Sequence, residues 1–260
     1  MSEVVIAILA KDKAYCLDFY LKCISNQTFD KSKTHLYIRT NDNRDNTEDI
    51  LDRFVEDNSS KYASVYYDKS SVSKELKQFG EHEWNSKRFD VLAKIRQDSI
   101  DYAISKKAHY FVVDCDNFIT KTTLSDLCAN KEFKVIAPLL RLSKSRGYAN
   151  YHNEVTENGY FKSNDNYQGI LESKNPGIIE VDLVHCTYFI EKSVLDSNMY
   201  SDDTGRYEYV IFSDKLRQRA VSQYIDNTKF FGFLFLNDQM PIPFEQFVSE
   251  NWQNEYYNMQ

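Results

Sequence analysis

The chain has 260 residues, 42% of them hydrophobic and 27% charged, with only seven glycines and four prolines. That composition excludes a disordered or low-complexity polypeptide and suits one large domain with a sizeable core. A formal net charge of −7 argues against a general nucleic-acid binder, which needs a basic face.

Cys16, Cys23, Cys115, Cys128 and Cys186 are odd in number and contain no C-x-x-C pair. Neither a disulfide framework nor a zinc ribbon fits, and a reducing compartment is the simplest reading. The start MSEVVIAILA has a short apolar run and no basic leader, so it reads as a β-strand and not a signal peptide. No apolar run approaches membrane-spanning length, so no transmembrane segment is expected. A cytoplasmic location is expected.

In chain order, Val4–Ala10 is a continuous apolar run, as in a strand buried on both faces of a parallel sheet. Residues 13–26 place Cys16, Phe19, Tyr20 and Cys23 at helical spacing. HLYIRT (35–40) predicts a second strand. Asn46, followed by Thr47, Glu48 and Asp49, predicts a capped, acidic helix start. YASVYYD (62–68) predicts a third strand. A long helix follows from about Asn85 to Lys106, with Phe89, Leu92, Ala93, Ile95 and Ile100 on its buried side, and HYFVV is the fourth strand.

This β-α-β-α-β-α-β order predicts a mostly parallel sheet with helices on both faces, and a ligand at the C-terminal ends of its strands. Beyond Lys134 the pattern changes. VIAPLL reads as a short strand, GYANYHNEVTENGYFKS as strands broken by turns, and 178–192 as strand-rich. Tyr207–Gln218 reads as a helix and FFGFLFL (230–236) as another buried strand. With no Gly/Pro-rich linker, the expectation is a single α/β domain over 1–240. Its nucleotide-binding half is 1–134, the half 135–240 forms the other wall of a cleft, and an acidic, aromatic tail (241–260) docks onto it.

HYFVVDCDNFI (109–119) runs an apolar strand into two aspartates flanking a cysteine. Burying adjacent carboxylates is costly. Either the strand ends in solvated acids, or a cation sits between Asp114 and Asp116. Carboxylate, water and phosphate oxygens are the preferred ligands of Mg²⁺ and Mn²⁺, and residues i and i+2 of a strand point the same way. Cys115, inside the motif, is counted with the ligand-contacting positions. Arg88 and Arg96 lie two helical turns apart on the long helix, either solvated or reaching a diphosphate or an acidic partner of the metal site; Arg88 is the favoured candidate.

Several stretches then resemble the collagen (hydroxylysine) galactosyltransferases and, more distantly, the glucosyltransferase domain of lysyl hydroxylase. VVIAILAKDKAYCLDFYL resembles that family's first strand and helix, and RTNDNRDNTEDIL its second βα junction. EWNSKRFDVLAKIRQDSI resembles the helix before the metal motif, and HYFVVDCDNFIT the motif itself. VIAPLL, YANY, ENGYF and VDLVHCTYFI follow in the family's order.

The resemblance implies a GT-A (Rossmann-like) fold and a UDP-sugar donor. It also implies Mn²⁺ (or Mg²⁺) dependence through the DxD motif, and inverting attack by a glycan or protein hydroxyl. It points to Ala10, Lys11, Thr40, Asn41 and Asp42 as the uridine pocket. It also points to His185 as a sugar contact or metal ligand and to Asn150, with Tyr151, as part of a sugar-binding wall. The chain departs from the family in carrying His152 in place of a tryptophan, and it has no histidine after His185. A Phe-Asp-Asp-Ile-Ile stretch of the family reads Tyr207-Glu208-Tyr209-Val210-Ile211 here. Glu208 is therefore the expected catalytic base, with Asp203 as the substitute. A GT-A module that binds a nucleotide sugar or glycan without catalysis is the rival. A nucleotidyltransferase fits poorly, because AKDKAYC lacks the glycine-rich loop of that class.

Overall fold

The computed structural model describes residues 2–72, 86–143, 146–237 and 242–251. The first half alternates as read: β1 (Val4–Ala10), α1 (Ala14–Ser25), β2 (Thr34–Thr40), α2 (Thr47–Asn58), β3 (Ser64–Asp68), α3 (Ser86–Ser105) and β4 (His109–Val113). The expected helix start at Asn85 lies outside the described residues. β1 pairs in parallel with both β2 and β4, and β2 with β3. All four strands therefore end on one side of the sheet.

The continuous apolar run of β1 has a physical cause in its pleat. Val4, Ile6 and Ile8 pack into one core cluster with Leu17, Tyr20 and Leu51 of α1 and α2. Val5 and Ala7 pack into a second cluster with Ala93, Ile100 and Ala103 of α3. Alternate side chains serve opposite faces, so neither face can be polar.

The second half is built from shorter pieces: β5 (Asn117–Ile119), α4 (Thr123–Ala129), β6 (Val135–Pro138), β7 (Arg141–Ser143), β8 (Arg146–Ala149), β9 (Tyr151–His152), β10 (Glu154–Val155) and β11 (Phe161–Lys162). Then come α5 (Asp165–Leu171), β12 (Ile178–Val181), β13 (Leu183–Val184), β14 (Thr187–Ile190), α6 (Glu208–Gln218), β15 (Gln223–Asp226), β16 (Gly232–Leu234) and α7 (Phe244–Asn251). The main sheet runs β12-β15-β6-β14-β4-β1-β2-β3. β14 is antiparallel to both β4 and β6, so a strand from the second half lies directly against the strand that carries the aspartates.

Two expectations need correction. Asn46 stands at the N-cap of α2 without a side-chain cap bond; Asp45 caps instead, its Oδ1 accepting from Thr47 N at 3.0 Å. FFGFLFL is not a strand over its whole length. Only Gly232–Leu234 is extended, and it lies between β5 and β7 in a separate four-stranded sheet. The C-terminal segment does dock, as a helix. Phe244 and Phe247 of α7 are buried in the same cluster as β1, against Phe118 and Phe235. Residues 252–260 lie outside the described residues.

The β5–β16 contact explains the glycine in FFGFLFL. Gly232 has φ +143°, and a Cβ built there falls 1.8 Å from the Phe118 carbonyl oxygen, which is backbone and cannot move aside. Gly232→Ala should lower the unfolding free energy by about 3 kcal/mol or more, read as a lower urea midpoint.

Candidate active site

The turn after β4 sorts the D-C-D side chains by face. Asp114 N donates to the Cys186 carbonyl at 3.0 Å, and Asn117 N returns to the Asp114 carbonyl at 2.9 Å. Cys115 turns inward: it is 1% exposed, its Sγ donates to the Leu9 carbonyl, and its own carbonyl accepts from Cys16 Sγ. It is a core residue, and the expectation that it contacts a ligand is corrected. Asp114 and Asp116 are half-buried on the other side.

Each aspartate has a basic partner. Arg96, from the middle of α3, places Nη2 3.0 and 3.2 Å from the two Asp114 oxygens, and its Nε 3.2 Å from Glu208 Oε1. One guanidinium thus joins the end of β4 to the first residue of α6. Burial pushes the Asp114 carboxyl above its usual pKa, and Arg96 only partly offsets this. Burial opposes the charge on Arg96, but Asp114 and Glu208 outweigh it and hold the guanidinium protonated. Lys13, just after β1, puts Nζ 2.7 Å from Asp116 Oδ2. Burial disfavours its ammonium too, yet the Asp116 charge raises its pKa above the ordinary lysine value.

Of the two helix arginines, Arg96 and not Arg88 reaches the acidic pair. Arg88 lies half-buried two turns away. Lys13 was not singled out in the sequence; its one signal is its place immediately beyond the first strand, at the ligand-facing rim.

The β1 and β2 junctions are tied together at that rim. Lys11 Nζ donates to the Asp42 carbonyl at 2.7 Å, and Asp42 Oδ2 accepts from Val72 N at 2.9 Å. Thr40 Oγ1 accepts from Asn43 Nδ2 at 2.7 Å, Asn41 is buried, and Ala10 closes the strand end. Asp12 and Asp42 both have positive φ, 52° and 46°, as expected of tight turns held by side-chain hydrogen bonds.

Asn150 does not line this cleft. It is fully buried, its Oδ1 accepting from Leu140 N and its Nδ2 donating to the Pro138 and Thr187 carbonyls. It clasps β6, β8 and β14 together, and its assignment as a sugar contact is corrected. Asp203 is exposed in the turn before α6, beside Asp202, which is paired to Arg206. Glu208 is the acid that the fold joins to Asp114.

His185 is 5% exposed, and its Nδ1 lies 2.8 Å from Cys186 Sγ. Cys186 adopts φ 63°, and Thr187 N bonds back to the His185 carbonyl at 2.7 Å. This tight bend lets β13 turn into β14 beside Asp114, and backbone strain of that kind collects at functional sites. The His185 ring meets Tyr148, His152 and Tyr209 at centroid distances of 5.9, 5.3 and 5.3 Å.

The donor set fits a hard divalent cation in kind, since Asp114 and Asp116 are two carboxylates whose charges act on each other. It supplies no third protein ligand: among the described residues no group of three His, Cys, Asp or Glu side chains is placed to hold an ion. The two aspartates are the residues able to hold one, with the remaining positions left to a bound ligand and water.

Burial lowers His185 to about 3, with His152 and Arg96 acting in the same direction, and lowers His152 to about 4. An unfolded histidine protonates near 6.5, so the unfolded chain takes up these protons first as pH falls. The stability from keeping both rings neutral is present above about pH 6.5 and is lost on acidification towards pH 4. Urea unfolding across that range should show a loss on the order of 5 kcal/mol, and His152→Phe should make the slope shallower.

A family model described as "Glycosyltransferase family 25, N-terminal domain" matches residues 1–254. Procollagen galactosyltransferase 2 of Mus musculus is 27% identical over 263 residues, covering 96% of this chain and 41% of that protein. The inactive glycosyltransferase 25 family member 3 of the same species is 22% identical, covering 90% of this chain and 41% of that protein. The chain therefore spans about two fifths of the length of these relatives. Among solved structures, S. aureus TarS 1-349 in complex with UDP superposes with a TM-score of 0.58 at 13% identity, covering 90% of this chain and 60% of that one. TarS shares the mixed α/β architecture with its large, mostly parallel central sheet, and the fold is GT-A. The match over nearly the whole chain places this protein in glycosyltransferase family 25, as an N-terminal domain of that family.

Proposed function

We propose that the chain transfers a hexose, galactose or glucose, from a UDP-sugar to a hydroxyl of a glycan or protein, with inversion at the sugar carbon and with Mn²⁺ or Mg²⁺ held by Asp114 and Asp116. The observation that carries this reading is the Asp114–Arg96–Glu208 bridge at the C-terminal rim of the sheet, with the Asp116–Lys13 pair beside it. Open α/β sheets bind ligands at that rim. The UDP complex of TarS and the name of the mouse galactosyltransferase support a nucleotide-sugar donor and a hexose.

In this reading the loops after β1 and β2, with Ala10, Lys11, Thr40, Asn41 and Asp42, receive the uridine. When bound, the divalent ion supplies positive charge to the diphosphate as it departs. Lys13, freed from Asp116, adds a second positive charge near the same group. Glu208 takes the proton of the acceptor hydroxyl. The acceptor oxygen forms a bond to the anomeric carbon, the bond from that carbon to the diphosphate oxygen breaks, and UDP leaves with the electron pair. Arg96 holds Glu208 and Asp114 at a fixed separation, which orients base and donor site together. All five thiols are free, which supports a reducing compartment such as the cytoplasm.

A second reading, a binding module without catalysis, draws on two observations. Glu208 Oε1 is already engaged by Arg96 Nε at 3.2 Å, and one relative is named inactive. Isothermal titration and a UDP-release assay separate the two. Asp116→Ala should abolish Mn²⁺-dependent UDP-sugar binding. Glu208→Gln should leave that binding intact and slow transfer by about a hundredfold or more. Tight UDP binding by wild type with no turnover of any UDP-sugar would select the module; equal donor binding by Asp116→Ala would remove the metal assignment.

A further inference from the structure

The two aspartates of the rim are held by cations of different kinds. Arg96 is fixed at two points, Asp114 and Glu208, and its guanidinium side chain is 14% exposed. Lys13 is fixed at one: among the described residues its Nζ makes a single hydrogen bond, to Asp116 Oδ2 at 2.7 Å. Its side chain is 27% exposed and that of Asp116 is 20% exposed, so solvent and ligands reach this pair. An ammonium on four methylenes holds its partner as a point charge and can swing away. A planar fork bonded to two acids cannot do so without losing both. Arg96 is a strut, and Lys13 is a detachable counter-ion.

The root of Lys13 does not share this freedom. Its N–H donates to Thr47 Oγ1 at 2.7 Å, and its carbonyl accepts from Cys16 N and Leu17 N at 3.0 Å each. Thr47 is fully buried at the start of α2. Asp116 is held as firmly, its carbonyl accepting from Phe235 N at 2.8 Å. With both backbones pinned, what can change is the stem of Lys13, between Asp116 and any other anion within its reach. The Tyr15 ring lies under the ammonium at 5.9 Å, a contact that accommodates a cation without fixing its direction.

A divalent ion would use the same carboxylates. Asp114 and Asp116 with Arg96 and Lys13 sum to zero charge, and an ammonium in contact with Asp116 repels a second cation at that range. A diphosphate reverses the balance, because it offers the ammonium more negative charge than one carboxylate does. We propose that Lys13 makes divalent-ion binding conditional on the nucleotide: its ammonium competes for Asp116 until a diphosphate draws it away. This rests on the transferase reading above and adds to it the regulation of the same site, a guard against metal loading without donor. Coupling of this kind is reciprocal, so UDP raises the affinity for Mn²⁺ by the factor that Mn²⁺ raises the affinity for UDP.

Electron paramagnetic resonance of free Mn²⁺, titrated with the full chain in the presence and absence of UDP, tests this in wild type and in Lys13→Met. Methionine keeps an unbranched stem and removes the charge. Mn²⁺ alone should bind Lys13→Met about tenfold or more tightly than wild type, and the enhancement by UDP should fall about tenfold. A gain in affinity cannot come from a damaged fold, so the first readout separates a competing charge from a merely structural lysine. Asp116→Asn added to Lys13→Met should abolish the gain. Lys174→Met removes the same charge from an exposed pair with Glu172 and should change neither quantity. Mn²⁺ affinity without UDP that is equal or weaker in Lys13→Met would overturn the inference, as would an unchanged enhancement by UDP. In both cases UDP-dependent Mn²⁺ binding by wild type leaves the metal reading standing. No Mn²⁺ binding by either protein, even with UDP, would remove the metal reading itself and this inference with it.

Discussion

A single guanidinium between two carboxylates organises this cleft. Arg96 is 14% exposed, and it reaches Asp114 at the end of β4 and Glu208 at the start of α6. A charge taken out of water is tolerated only when it is paired and hydrogen-bonded, and this one has two partners. The consequence is mechanical as well as electrostatic. Asp114 belongs to the half of the chain that builds the parallel sheet, whereas Glu208 comes after the irregular half has wound back. Without Arg96, the half-buried Asp114 and the buried Glu208 would face each other across the cleft, and the acid at the tip of α6 would have no reason to sit there.

The rest of the architecture holds those two ends in place. β14 lies antiparallel to β4, and the bend at Cys186 bonds to Asp114, so the second half is fixed to the aspartate turn through backbone. Asn150 completes the clasp from below by joining β6, β8 and β14 with its one amide. The rings of Tyr148, His152 and His185, which meet beside the aspartate turn, stand on this frame through β8, β9 and the end of β13.

The first half was legible because its periodicities are strong. A parallel strand buried on both faces must be apolar throughout, and Val4–Ala10 is. The helix period of 13–26 and the acidic start after Asn46 mark α1 and α2, although the cap itself came from Asp45. The second half was less legible for the opposite reason: strands of two to four residues carry too few alternations to show which sheet they join, as Gly232–Leu234 illustrates. Of the cleft, Asp114 and Asp116 stood out by residue type at a strand end and Glu208 by the resemblance to the family's Phe-Asp-Asp-Ile-Ile stretch, and the structure joins Asp114 and Glu208 through Arg96. Lys13 did not stand out, because nothing local distinguishes it from a solvated lysine; its partner is 103 residues away. Asn150 and Cys115 were misassigned because adjacency in sequence to a motif does not reveal which side of the backbone a side chain takes.

A double-mutant cycle on unfolding free energy, with Arg96→Met, Glu208→Gln and the pair, is the most direct test of the bridge. The account predicts that the single changes are each destabilising and that their effects fall short of adding by more than about 1 kcal/mol, because both break the same contact. Strict additivity, or an Arg96→Met variant as stable as the parent, would contradict it.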